Sequence, residues 1–426
     1  MRIASGRAVG TKTYGRRSRT GGNEDNEMRV GIEVGGTFTD LVAIENGNVI
    51  VRKVPSTPRE PQIGVMNALD AAELRGPALD EIIHGSTVAT NAVLERKGAR
   101  IAFVTTAGFR DLLLFQRQER HQIFDLAYQR PKPIVARRDC YEATERLEPD
   151  GSVQIPLDVA DVTERLVPSL KAGGYEAVAI CFLHAYLNPQ HEQTLASILR
   201  QHMPHATITC SSEVSLEYRE YERASTTALS AYVQPVIDRY LGSLSAGLAD
   251  LGFRGRFSVM QSNGGRIPAE GMRRNAIAAL LSGPAAGVAG ALRQSSRSGF
   301  SNLITFDMGG TSTDVCLIPG GVIPLAADTV IDGLPVQTPV VDMVTVGAGG
   351  GSIAWRDEGE LLRVGPHSAG AMPGPACYGR GGTEATITDA HVVRGTLRPE
   401  AFLAGTMRID RAAAQAALKP LAAHLG

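Results

Sequence analysis

The sequence predicts an α/β protein with more than one core, and three observations carry that prediction. Strand-like apolar runs alternate with helical stretches through the first half of the chain. A hairpin motif headed by an acid and turning on Gly-Gly-Thr occurs twice, its heads at positions 33 and 307, 274 residues apart. The chain is 426 residues long, enough for two or three domains. Hydrophobic residues make up 43% and charged residues 20%, an ordinary globular composition. The formal net charge of −1 gives no electrostatic basis for binding nucleic acid or an anionic membrane. No run approaches the ~20 apolar residues of a membrane span. Cys140, Cys181, Cys210, Cys316 and Cys377 are scattered, odd in number and free of Cys-x-x-Cys pairs, which predicts reduced thiols in a cytoplasmic protein.

Residues 1–27 are basic, glycine-containing and poor in apolar side chains, with no apolar core for a secretory signal. They predict a disordered arm or an early start codon, with folding from Met28. Arg29–Val34 reads as a strand, followed by a Gly35-Gly36-Thr37 turn and a strand over Asp40–Glu45. Asn46-Gly47 is a two-residue hairpin signal into Val49–Val54. Pro55, Pro58 and Pro61 end this unit, and Ile63–Leu74 reads as a helix. Ile101–Thr105, Ala177–Phe182 and Thr207–Cys210 read as buried strands, and His191–His202 as a helix. Ser215–Leu251 reads as one long helix whose apolar face includes Leu229, Val233, Ile237, Leu241 and Leu244, with a kink at Pro235. A domain boundary is expected near its start, dividing the chain into 28–213 and 214–426. Asn302–Asp307 and Asp314–Ile318 repeat the opening strands, and after Gly347 the chain turns glycine-rich, with few helix signals before Arg411–Lys419.

The two hairpins carry the chemistry. Glu33-Val34-Gly35-Gly36-Thr37-Phe38-Thr39-Asp40 and Asp307-Met308-Gly309-Gly310-Thr311-Ser312-Thr313-Asp314 share both glycines, both threonines and the closing aspartate. Gly35, Gly36, Gly309 and Gly310 permit close approach of the backbone to a ligand. Successive N–H groups at such a turn form an anion site. Thr37, Thr39, Thr311 and Thr313 offer further donors. Glu33 and Asp307 are candidate holders of Mg²⁺, which keeps part of its hydration shell. One copy alone is equally a plain hairpin turn; the recurrence selects the phosphate reading.

The paired motifs resemble the actin-like ATPase superfamily. That likeness implies an α/β fold with two ribonuclease-H-like domains facing a nucleotide cleft, where ATP and Mg²⁺ lie. Further segments resemble the hydantoinase/oxoprolinase family, in the family's order: His84-Gly85-Ser86-Thr87-Val88-Ala89-Thr90-Asn91, Thr106-Ala107-Gly108-Phe109-Arg110-Asp111, Glu220-Tyr221-Glu222-Arg223, Ser282-Gly283-Pro284-Ala285-Ala286-Gly287, Val346–Ser352 and Pro373–Gly379. This resemblance runs from Met28 to Gly426 and identifies 28–213 as the family's N-terminal domain and 214–426 as its hydantoinase A domain, incomplete at its end. It implies ATP-dependent opening of a five-membered cyclic amide, such as a hydantoin or 5-oxoproline, and a second subunit of the hydantoinase B type. A resonance-stabilised amide resists water. Attack of its carbonyl oxygen on the γ-phosphate gives a phosphorylated imidate that water opens, so the protein must cradle phosphate and align substrate. A ketone carboxylase subunit, or a truncated non-catalytic nucleotide-binding protein, are the competing readings.

Asp40 and Asp314 are the candidate carboxylates at the transferred group. His84 is either a satisfied strand-end histidine or a proton-transfer residue; the neighbouring Thr87, Thr90 and Asn91 favour a polar substrate pocket. Gly349 and Gly350 lie in a run that is either a flexible loop or a place where backbone meets ligand. Asp342 beside it is a turn cap or a substrate contact. Cys377 has no basic neighbour in sequence, which predicts an inert buried thiol. Arg117, Glu119, Arg120 and His121 read as a solvated face. The chain departs from the family's pattern at Glu33, where relatives usually carry aspartate, at Val344, where some carry histidine, and in stopping at Gly426, well before relatives usually end.

Overall fold

Two consecutive hairpins open the fold. Arg29–Val34 pairs antiparallel with Phe38–Glu45, which pairs antiparallel with Asn48–Pro55. The structure, a computed structural model, describes residues 28–425 apart from 37, 46, 121, 122, 371, 401 and 403–406. The expected arm at 1–27, and the turn positions Thr37 and Asn46, therefore lie outside the described residues. On its other edge Arg29–Val34 pairs in parallel with Glu81–Ser86, then Arg256–Met260, and Arg266–Pro268 closes a six-stranded sheet. Strands from both sides of position 213 thus build one sheet. Period-two alternation sets its inner face: Val30, Ile32, Val34, Leu41 and Ala43 are buried.

Two helices cover that face. Pro61–Ala71 buries Val65, Ala68 and Leu69. Pro61 starts this helix rather than ending the preceding unit, because its missing N–H costs nothing in a first turn. Glu220–Asp250 is the long helix, and Leu229, Val233, Ile237, Leu241 and Leu244 join the same core. Pro235 lies inside it without ending it.

A second sheet runs Thr207–Cys210, Ala177–Cys181, Ile101–Thr106, Cys140–Ala143, every neighbouring pair parallel. All six residues of Ile101–Thr106 and all five of Ala177–Cys181 are buried, as continuous apolar runs in a parallel sheet require. A buried polar cluster joins this sheet to the long helix. Arg223 is fully buried and donates to the Phe182 carbonyl (2.6 Å), to Ser211 Oγ and to Glu220. Glu192, also fully buried, stands 3.9 Å from Arg223 and accepts from Phe182 N (2.9 Å), Ser212 N (2.9 Å) and the Ser211 and Ser212 hydroxyls. The motif Glu220–Arg223 is therefore structural here.

The third sheet repeats the first hairpin. Leu303–Met308 pairs antiparallel with Thr313–Ile318, which pairs with Val344–Val346. Asp307 stands opposite Asp314 as Glu33 stands opposite Asp40. Among the described residues the outer edge of Leu303–Met308 pairs with no strand, and Ile304, Phe306, Leu317 and Val344 are exposed on this sheet. Ile387–Val393, which the sequence reading leaves unassigned, is a helix begun by a capping box of Thr386 and Asp389. All five cysteines are buried and free. Among the described residues no helix is long and apolar enough to cross a membrane.

Arg223→Ala leaves Glu192 buried without its cation, and we expect it to lower the unfolding free energy by about 3–5 kcal/mol in urea titrations. A loss under about 1 kcal/mol would show that the cluster does not join the sheet to the helix.

Candidate active site

Each hairpin closes with the same hydrogen bond: Gly35 N donates to the Phe38 carbonyl (3.0 Å) and Gly309 N to the Ser312 carbonyl (2.9 Å). Gly36, Gly310 and Thr311 stay exposed at the turns. Directly opposed residues of antiparallel strands share a face, so each hairpin sets two carboxylates side by side, Glu33 with Asp40 and Asp307 with Asp314. Alternation then turns Thr39 and Thr313 inward. Thr39 is fully buried, its hydroxyl bonded to Ser56 Oγ (3.0 Å), while Ser56 donates to the Gly35 carbonyl (2.8 Å). Thr313 is buried and donates to the Ala348 carbonyl. The expected phosphate contacts from these two hydroxyls give way to hydrogen bonds that fix the turns.

The acids are unequally compensated. Lys53, beside Asp40 on the next strand, places Nζ 2.7 Å from both carboxylate oxygens and 5.2 Å from the Phe38 ring centre. Asp314 has a neutral partner instead, the Thr345 hydroxyl at 2.6 Å. Loss of water contact, then the negative charges of Asp307 and Asp40, raise the Glu33 pKa above the ordinary range. Loss of water raises that of Asp314 too, with Asp307 adding to it. The Glu33–Asp307 coupling joins the two hairpins through space. Among the described residues no three His, Cys, Asp or Glu side chains gather closely enough to hold a metal. The facing carboxylates Glu33 and Asp307 nevertheless suit Mg²⁺, which takes one or two carboxylates plus water and phosphate oxygens.

The glycine run after Gly347 lies against the second turn. Gly350 N donates to the Gly309 carbonyl (2.9 Å) and Gly351 N to the Gly310 carbonyl (2.6 Å). A Cβ on Gly349 would fall 2.6 Å from Thr311 N. The run is thus a backbone clamp on the hairpin, and the flexible-loop alternative falls. A cavity of about 430 Å³ is lined by Phe38 and Lys53 from the first hairpin unit and by Met308, Gly309 and Gly310 from the second, with Gly350 and Gly351 beside them. Both hairpins therefore face one space. A second cavity, of about 370 Å³, carries Asp307 and Asp314 along the helix Ser282–Arg297. That helix starts against the first hairpin, since a Cβ on Gly283 would lie 2.6 Å from Glu33 Oε1.

Other expected site residues sit elsewhere. His84 is fully buried between Ile32 and the long helix. The Ile32 carbonyl can only accept, so Nδ1–H donates to it (3.1 Å), and Nε2 accepts from the Tyr240 hydroxyl (2.7 Å). Burial lowers its pKa from 6.5 to about 4. His84 is thus a neutral tie between sheet and helix, without access to substrate. Thr87 bonds the Val34 carbonyl (3.3 Å) and accepts from Asn91 (3.2 Å); Thr90 accepts from Leu281 N (3.0 Å). These three brace the junction of the hairpin with the following helix. Asp342 is exposed, its N–H bonded to the Pro324 carbonyl (2.9 Å), and does not line the shared cavity. Cys377 is fully buried and its thiol pKa is raised by loss of water, as an inert thiol requires. Arg117, Glu119 and Arg120 are exposed, as a solvated face requires, and Arg117 also grips Glu222 of the long helix through two bonds of 2.8 and 2.7 Å. His121 lies outside the described residues. Sequence reasoning missed Lys53, Tyr378 and His391, which line the cavity; only the cross-strand register to Asp40 could have flagged Lys53.

The likeness to known proteins covers both hairpins. The hydantoinase/oxoprolinase N-terminal region model matches residues 29–203, and the hydantoinase/oxoprolinase model matches 223–426. The chain belongs to the hydantoinase/oxoprolinase family. It is 38% identical over 405 residues to caprolactamase subunit alpha of Pseudomonas jessenii, covering 92% of this chain and 58% of that one. It is 35% identical over 420 residues to the acetophenone carboxylase gamma subunit of Aromatoleum aromaticum, covering 93% and 57%. Its mixed α/β fold matches the nucleotide-free structure of an ATP-dependent acetone carboxylase with a TM-score of 0.79 at 28% identity, over 93% of this chain and 59% of that one. The chain thus spans a little under three-fifths of the length of these family members.

Two measurements check this site. His84 stays neutral in the fold down to about pH 4 while the unfolded chain takes up its proton near 6.5. Its contribution to stability is therefore complete above pH 6.5 and lost as pH falls towards 4, by about 3 kcal/mol. His84→Gln should flatten that segment of the stability curve, and an unchanged slope would reject the assignment. Gly349→Ala should push the second turn aside, costing about 1–3 kcal/mol in thermal unfolding and weakening Mg-ATP binding in calorimetry.

Proposed function

We propose that this chain is the nucleotide-handling part of an enzyme that opens a cyclic amide with ATP, transferring the γ-phosphoryl group to the ring carbonyl oxygen. The observation that carries the reading is the single cavity bordered by Phe38 and Lys53 of the first hairpin unit and by the Gly309-Gly310 turn of the second. Exposed turn backbone at Gly36, Gly310 and Thr311 offers donors to phosphate oxygens. Lys53 adds a cation to the same space. Glu33 and Asp307 would hold Mg²⁺, which when bound neutralises developing phosphate charge. Asp314 and Asp40 lie across from them, with Asp314 the less compensated of the two and the better placed to orient the transferred group. In the reaction the carbonyl oxygen forms its bond to phosphorus as the bond to the ADP oxygen breaks. Water then adds at the ring carbon, the C–N bond opens to give an amine and an acyl phosphate, and a second water releases phosphate and leaves the carboxylate. Two waters are consumed per ATP.

The names of the relatives, a caprolactamase alpha subunit and a carboxylase gamma subunit, support a partner subunit for this chain as well, and the family resemblance makes one of the hydantoinase B type the expected partner. The carboxylase likeness favours one second reading, phosphorylation during ketone carboxylation. Incubation with cyclic amides, against ketone plus bicarbonate, separates the two by ADP release. Asp314→Ala should abolish substrate-dependent ADP release. It should also raise the melting temperature of the ligand-free chain, because folding has raised the pKa of that carboxyl and its ionised form therefore opposes folding at neutral pH. Retained turnover would reject the assignment of Asp314.

A further inference from the structure

The shared cavity has two chemically distinct walls. One comes from the hairpin units and the glycine run: Gly309, Gly310, Gly350, Gly351 and Lys53, with Phe38 and Met308 beside them. The other is apolar: Pro375, Tyr378, Leu397 and Phe402, with His391 among them. We propose that this second wall is the acceptor subsite, that it takes a small neutral carbonyl compound with an apolar body, and that His391 anchors its polar group. This rests on the phosphoryl-transfer reading above and adds to it the class of molecule phosphorylated.

Three observations support the assignment. First, the Tyr378 and Phe402 rings lie 5.8 Å apart at 41°, a tilted aromatic pair offering a flat apolar surface. The cavity's volume, about 430 Å³, suits a small ligand beside phosphate groups. Second, among the described residues the only one lining the cavity with a fixed charge is Lys53, on the phosphate wall. A substrate carboxylate placed against the apolar wall would be desolvated without a partner, which is costly. The wall therefore selects a neutral lactam over a ring bearing a carboxylate. Third, His391 is unlike His84. Its Nδ1 is buried and has no hydrogen-bond partner, so the ring is not tied into the scaffold at that atom.

The fold also holds this wall in register with the phosphate turn. Thr388 donates to the Gly350 carbonyl through both its N–H (2.8 Å) and its hydroxyl (2.7 Å), and Gly350 N donates to the Gly309 carbonyl (2.9 Å). Thr388 and His391 are three apart on one helix, hence on one face. The buried carboxylate of Asp389 accepts from Cys377 N (2.8 Å), Ala376 N (3.3 Å), Thr386 N (3.0 Å) and the Thr386 hydroxyl (2.7 Å), locking the turn that carries Tyr378 to the helix that carries His391. A ligand on this wall is thus fixed relative to the hairpin by two short hydrogen-bonded steps. Such alignment is what transfer to a weak nucleophile, a carbonyl oxygen, requires.

The test is direct binding, so it needs no turnover. The chain is mixed with Mg²⁺, with and without a non-hydrolysable ATP analogue, and ε-caprolactam, 5-oxoproline and adenosine are each followed by saturation-transfer NMR. We expect ε-caprolactam to bind the wild type, and 5-oxoproline to bind at least about tenfold more weakly. His391→Leu should weaken ε-caprolactam about tenfold through loss of one hydrogen bond, with affinity for the ATP analogue unchanged. Leu397→Trp, which fills the wall without touching the imidazole, should also displace ε-caprolactam, and circular dichroism of both variants verifies folding. The subsite assignment fails if ε-caprolactam does not bind, if it binds both variants as it does the wild type, or if adenosine competes with it for the wall. Absence of binding by the ATP analogue would instead sink the phosphoryl-transfer reading, and the response of ε-caprolactam to the two variants would still be readable.

Discussion

Like charges placed face to face dominate this molecule. Each hairpin register sets two carboxylates opposite one another, and the fold brings the pairs close enough that Asp307 raises the pKa of Glu33. Carboxyls whose pKa rises on folding oppose folding at neutral pH. A ligand that binds the folded state and compensates these charges would add stability. The surrounding structure supplies what offsets the repulsion: a six-stranded sheet, a long helix buried along most of its length, and a buried Arg223–Glu192 cluster that fastens a second sheet to it.

Rigidity near the acids comes from backbone touching backbone. Gly349 and Gly351 lie directly on the Gly309–Thr311 turn, closer than a side chain would permit, and Gly350 N donates to the Gly309 carbonyl between them. Thr39 and Thr313 hold their turns from beneath. Thr388 extends the same chain of hydrogen bonds outward to the wall that carries His391. The phosphate turn, the clamp and the apolar wall therefore form one connected unit, although their residues are spread over nearly a hundred positions between Met308 and Phe402. Function at this site depends on the spacing between elements more than on any single reactive side chain.

Much of this was legible in the residues themselves. The repeated motif gave the position of both turns, and alternation of apolar residues gave the strands flanking them within a residue or two, because a hairpin's register is local. Alternation also implies that Thr39 and Asp40 point to opposite faces, so the inward turn of Thr39 was readable from the strand pattern. The capping box at Thr386 was visible as a Thr-x-x-Asp signature before a helix.

What the chain alone determined is therefore local: two Gly-Gly turns, the acids at their ends, and the family to which the motifs point. Tertiary structure decided which groups meet. It sent His84 into the core by covering it with Tyr240 from 156 residues away, and it placed His391 on the cavity beside the glycines of the second turn. Neither outcome follows from composition or spacing, since the burial of an imidazole depends on which distant helix packs over it. The same side chain is a scaffold tie where both nitrogens are bonded and a candidate ligand anchor where one is left without a partner.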